Sequence, residues 1–228
     1  MYCNQCGKEI DEDSIYCQFC GSEISSNASE PTSENTSQKE VTQEQNINSS
    51  NTDLLWDKFA DVYDAKGDDK KKYDELYSDQ VWELIDRLYT NTFETYIQEN
   101  KQELNSQPYK IIEALKNMFL FSVIGGYKLW IAEAILEKKP LGKFRVFDLD
   151  ELVKEWKSHD FQNAIKGLSD AMGNCMSLYL EHKISSFIEN NPSIKEVSNA
   201  TIEDIKRSVL VQIINGYHAG EIESKFRK

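Results

Sequence analysis

Apolar residues are spread unevenly along the chain, and from Asp53 onward they recur at three- and four-residue steps, the spacing of one face of a helix. The stretch DLLWDKFADVYDA puts Leu55, Phe59 and Val62 or Tyr63 on one stripe, predicting a short first helix that ends near Gly67. A second helix is predicted from Asp69 to Leu104, with Tyr73, Leu76/Tyr77, Leu84/Ile85, Leu88/Tyr89, Phe93 and Tyr96/Ile97 in step, and Val81 and Trp82 between. Pro108 suits the first turn of a third helix running to Lys139. That helix is apolar on most sides, through Ile111, Leu115, Phe119, Val123 and Ile124, which marks it as the central one.

Phe144–Phe147 reads as a short extended piece, and Asp148 as the cap of a helix reaching Trp156. A long helical stretch follows from Asp160 to Glu189, with a bend expected at Gly167 or Gly173 and a stop at Pro192. Thr201-x-x-Asp204 is a loose relative of a capping box and opens a last helix. Residues 53–228 are thus expected to form an all-α bundle of six or seven helices with short connections.

Upstream the pattern disappears. Residues 25–52 contain no aromatic side chain, and only Ala28, Val41 and Ile47 are apolar. Such a stretch cannot bury enough surface to offset its ordering entropy, so a disordered linker is expected, a spacer whose ends average about 30 Å apart.

Residues 1–24 follow a third pattern, Cys3-x2-Cys6-x10-Cys17-x2-Cys20. YCNQCGKEI (2–10) and YCQFCGSEI (16–24) share Tyr, both Cys, Gly, Glu and Ile, so one short element occurs twice. Two residues between cysteines let a tight turn aim both sulfurs at one centre, about 2.3 Å from a metal ion. Gly7 and Gly21 let the chain leave each turn without a Cβ clash. With only Ile10, Ile15, Ile24 and two tyrosines as apolar bulk, the unit needs metal to fold. Disulfides suit a reducing cytosol poorly. A redox Cys-x-x-Cys opens a helix of a larger fold, which the doubled motif argues against. A four-sulfur iron site has the same geometry, and sequence separates iron from zinc only weakly. Zinc is the reading adopted. Four sulfur ligands leave no open position, so the ion would hold shape and activate no water.

This segment resembles the short zinc-ribbon domain, built of β-hairpin knuckles, that opens many bacterial and archaeal proteins. The resemblance makes Cys3, Cys6, Cys17 and Cys20 the ligands of one structural zinc, and implies a regulatory or scaffolding setting. Many members carry a membrane segment after the ribbon, and none is expected here. The domain plan is therefore a ribbon at 1–24, a linker at 25–52 and a helical domain at 53–228.

Charge narrows the partner. The chain carries −13, and ribbon, linker and helical domain are each acidic. Affinity for nucleic acid comes largely from Lys and Arg neutralising phosphates, so DNA or RNA is disfavoured as a partner. No basic-then-apolar leader precedes Cys3, and the longest uncharged run of the apolar stretch, Asn117 to Tyr127, falls short of a bilayer's width. A cytoplasmic location is expected.

The helical domain shows no recognised chemistry. His159, His182 and His218 form no His-x3-His pair, and no Glu-x-x-His repeat is present, so each is expected to face solvent or satisfy a hydrogen bond. Cys175 reads as a small buried residue. No phosphate loop or nucleophile elbow is seen, and no catalytic residue is assigned. The tryptophans Trp56, Trp82, Trp130 and Trp156 are explained by packing, though one or two could line a partner groove. Ile124-Gly-Gly-Tyr-Lys128 and Ile214-Asn-Gly-Tyr-His218 match at Ile, Gly and Tyr within apolar runs. Glycine costs about 1 kcal/mol inside a helix, so a close helix crossing, or a diverged duplication, would account for the match. The expected role is a non-enzymatic interaction or regulatory protein whose ribbon docks on a protein partner. A nucleic-acid-associated regulator, or an enzyme with a site hidden in the helical domain, is the alternative.

Overall fold

The computed structural model describes residues 38–227, except 105, 106, 108, 140, 143, 144, 146, 193 and 195–198. The ribbon and the first part of the expected linker lie outside the described residues. The chain divides into two units, Met1–Val41 and Thr42–Lys228. The first is described only where α1 begins, and the rest of this section concerns the second.

Nine helices occur among the described residues, more than the six or seven expected. They are α1 (Gln38–Tyr63), α2 (Gly67–Asp74), α3 (Asp79–Glu99), α4 (Lys101–Leu104), α5 (Tyr109–Leu136), α6 (Leu149–Ser158), α7 (Phe161–Lys166), α8 (Asp170–Asn190) and α9 (Asn199–Ser224). No strand is found among them.

The extra helices come from polar side chains that interrupt a continuous apolar period. The expected helix over 69–104 is broken at Ser78, whose backbone is extended and whose hydroxyl accepts the Val81 N–H at 3.1 Å to cap α3. It breaks again at Asn100, whose amide donates to Tyr96 O at 2.9 Å. The stretch over 160–189 is interrupted at Gly167, which ends α7, and Ser169 then caps α8; Gly173 lies inside α8. Thr201 does not open α9, because that helix has already begun at Asn199. α1 begins at Gln38, inside the stretch assigned by composition to a disordered linker. That stretch holds neither Pro nor Gly between Gln38 and Thr52, so no strong helix breaker stands in it. Asp148 caps α6 as expected, accepting the Glu151 N–H at 2.8 Å. Of the expected extended piece, Phe144 and Val146 lie outside the described residues, and Arg145 donates its N–H to Phe226 O at 2.8 Å.

α5 is the central helix. Its best 18-residue window has a mean hydropathy of 1.5, enough by length and composition to cross a bilayer, yet 67% of that window is buried by neighbouring helices. α3, α8 and α9 pack against it, and α9 makes by far the most extensive contact.

The crossing of α5 and α9 is possible only because of glycine. A Cβ on Gly126 would lie 1.8 Å from Ile213 O, and a Cβ on Gly216 would lie 1.8 Å from Val123 O. The two contacts are images of one another: one constant shift along the chain carries Val123, Gly126 and Tyr127 onto Ile213, Gly216 and Tyr217. α3 maps onto α8 at nearly the same shift, cap onto cap (Ser78, Ser169) and buried residue onto buried residue (Val81/Met172, Leu84/Cys175, Ile85/Met176, Tyr96/Phe187). The helix pairs exchange too, since α3 touches both α5 and α9, and so does α8. The body is built as two similar halves, α1–α5 and α6–α9, clasped through α5 and α9. Where the halves meet near the starts of these helices, Leu104, Ile111 and Leu115 face Ile194, Thr201 and Ile205 around a space of about 10 Å³, too small for an organic ligand.

Candidate functional site

Among the described residues, two clusters of buried polar groups each join separate helices, beside others such as Gln212, Ser122 and the Tyr63–Tyr179–Lys183 set. The first joins the halves. Tyr127 and Tyr217, equivalent under the shift, donate their hydroxyls to Glu223 and Glu133, which are equivalent in turn. The Tyr217–Glu133 bond is 2.6 Å. Glu223 also accepts from Ser78, the α3 cap, and pairs at 3.3 Å with Arg227, whose guanidinium donates to Leu76 O and lies over the Trp130 ring. Burial, and then the facing carboxylate, push both tyrosine hydroxyls well above their ordinary range, so they remain donors. Burial also raises Glu223, against the lowering pull of Ser78, Tyr127 and Arg227. Each carboxylate therefore has a fixed donor from the opposite half. The chemistry is that of a clasp.

The second cluster joins the α6–α7 connection to α9. His218 and Glu221 sit one turn apart on α9, with His218 Nδ1 2.5 Å from Glu221 Oε2. His159, the residue that ends α6, brings its Nε2 to 3.7 Å from the same carboxylate oxygen. His218 is fully buried, His159 is partly buried, and Glu221 is about one-third exposed. Phe161 packs against both imidazoles, whose ring centres are 5.0 Å apart. The Nε2 atoms of both histidines are shielded from solvent and hydrogen-bond to nothing among the described residues. Burial, and then the neighbouring His218, hold His159 below the ordinary histidine value, which favours a neutral ring.

The other singled-out residues stay apart. His182 is exposed on α8. Cys175 is buried beside Thr52, its sulfur 3.5 Å from Thr52 O, and burial raises the thiol to about 11. It is a packed, protonated thiol whose charged neighbour among the described residues is Asp53, not the basic partner that reactivity needs. Trp130 is buried, Trp56 and Trp156 are half-buried, and Trp82 is exposed. Sequence reasoning kept the three histidines separate and so missed the second cluster. His218-x-x-Glu221 was its one local trace, the reverse order of the Glu-x-x-His spacing sought, and His159 belongs to a different segment.

Cys3, Cys6, Cys17 and Cys20 lie outside the described residues. Residues 2–24 match the family model of the zinc-ribbon domain, so the chain carries a zinc-ribbon domain at its N-terminal segment followed by an all-helical body. Four soft thiolates are the donor set that such a domain needs, and the match implies zinc binding. No curated protein and no solved structure matches the chain.

Proposed function

We propose that this is a non-enzymatic interaction or regulatory protein of the cytoplasm. Cys3, Cys6, Cys17 and Cys20 hold one structural zinc, and the folded ribbon docks on a protein partner. The helical body binds or regulates another component. The observation that carries this reading is the zinc-ribbon domain at residues 2–24. A four-thiolate ion has no free position for a substrate or water, so the ribbon offers a surface rather than a reaction. The clasp points the same way, because its buried tyrosines and carboxylates are already paired across the halves.

The acidity of the whole chain supports a protein partner over a nucleic acid. The test compares the full chain with a Cys6→Ser, Cys20→Ser double variant as bait in a cross-linking capture. A protein recovered by the full chain and lost with the double variant is the expected result. Identical captures by both baits, or a capture abolished by nuclease, would overturn the reading.

A further inference from the structure

The cluster of His159, His218 and Glu221 offers three ligand atoms that all lie within 4.8 Å of one another. Two imidazoles and a carboxylate are the donors of borderline divalent ions such as zinc. Bonds of about 2.0–2.1 Å set neighbouring donors in a tetrahedral site about 3.3 Å apart. The separations around Glu221 Oε2, 2.5 Å and 3.7 Å, fall on either side of that spacing. Glu221 is the most exposed of the three and the one free to rotate and even them out.

Two observations separate this arrangement from ordinary packing. Of the three side chains, His159 has its Nε2 shielded from solvent without a hydrogen bond, 3.7 Å from Glu221 Oε2, where a metal ion would give it a partner. The fold also does not require them, as the other half shows. The clasp tyrosines and glutamates repeat between α5 and α9, but the shift that preserves them carries His218 back to Lys128 and Glu221 back to Ile131. In the first half Lys128 donates to Tyr63 O at 3.1 Å and lies over the Tyr63 ring. The same location is thus stabilised there by an ammonium on an aromatic ring. The second half departs from the repeat by placing metal-ligating types at neighbouring points.

We propose that His159, His218 and Glu221 form a second metal site, distinct from the ribbon cysteines, that takes a divalent transition-metal ion of the zinc class. Neutral imidazoles donate their lone pairs, with the proton of His218 on Nε2 when Nδ1 ligates, and the carboxylate supplies the negative charge. The ion ties the α6–α7 connection to α9. Three protein donors leave the fourth position to water.

The test uses the full chain, freed of metal under reducing conditions and dialysed against micromolar free zinc. The wild type is expected to bind one ion per chain more than Glu221→Gln or His159→Ala does. Imidazole nitrogen resonances of His159 and His218 should move on zinc addition while those of His182 stay. Both variants alter residues at the edge of the buried cluster, and helical circular dichroism checks that they fold. Equal metal content in wild type and variants, or unmoved His159 and His218 resonances in the wild type, overturns the site. Neither readout depends on whether the ribbon docks on a partner.

Discussion

Gly126 and Gly216 set the closest backbone approach between α5 and α9. A methyl group at either position would meet a carbonyl oxygen of the opposite helix at 1.8 Å, so the helices must separate to accept it. Gly126→Ala and Gly216→Ala are each expected to destabilise the body by about 3 kcal/mol or more, read from urea midpoints. Gly173 is the control. Nothing lies within 4 Å of its Cβ position, and it stands inside α8, so Gly173→Ala should stabilise by about 0.5–1 kcal/mol. Glu223 tests the clasp by pH. Burial raises its value above that of the unfolded chain, so protonation favours the fold. Its contribution is complete below the unfolded value and is lost as pH rises through the folded one. As pH rises above the unfolded glutamate value of about 4.3, the wild type should lose stability relative to Glu223→Gln. A slope of opposite sign would mean that Ser78, Tyr127 and Arg227 outweigh burial.

Helix boundaries depend on single polar side chains. Asp148 was legible as a cap because a polar residue stands directly before an amphipathic run. Its loss in Asp148→Ala should cost about 1 kcal/mol, measured by denaturation. Ser78 was not legible. Leu76, Tyr77, Val81 and Trp82 continue the helical period straight across it, and nothing local marks a stop. At the break the same hydroxyl that caps α3 also donates to Glu223, far along the chain. Ser78→Ala removes both bonds and is expected to cost more than Asp148→Ala in the same assay. α5 was readable from its sequence as central, since a helix apolar on most sides must be covered all round. The split of 160–189 at Gly167 was foreseen only as one of two choices, and the Ser169 cap selected it.

At the scale of the whole molecule the helical body holds its own core, from Leu55 on α1 to Phe226 beyond α9. Cys6→Ser with Cys20→Ser should therefore remove the ribbon's zinc while leaving the body's helical signal and urea midpoint within error. A body that unfolds with the ribbon would contradict this. The chain by itself determined the ribbon and the helical class. Both rest on short-range regularities, a doubled Cys-x-x-Cys-Gly and a three-to-four-residue period, which survive in any stretch long enough to show them. It also carried a faint trace of the duplication in two Ile-x-Gly-Tyr segments. Only the tertiary structure turned that trace into two clasped halves, pairing Tyr127 with Glu223 and Tyr217 with Glu133, and only it brought His159 to His218 and Glu221. Those partners come from different helices, and their meeting depends on how apolar faces pack, an outcome that no local spacing encodes.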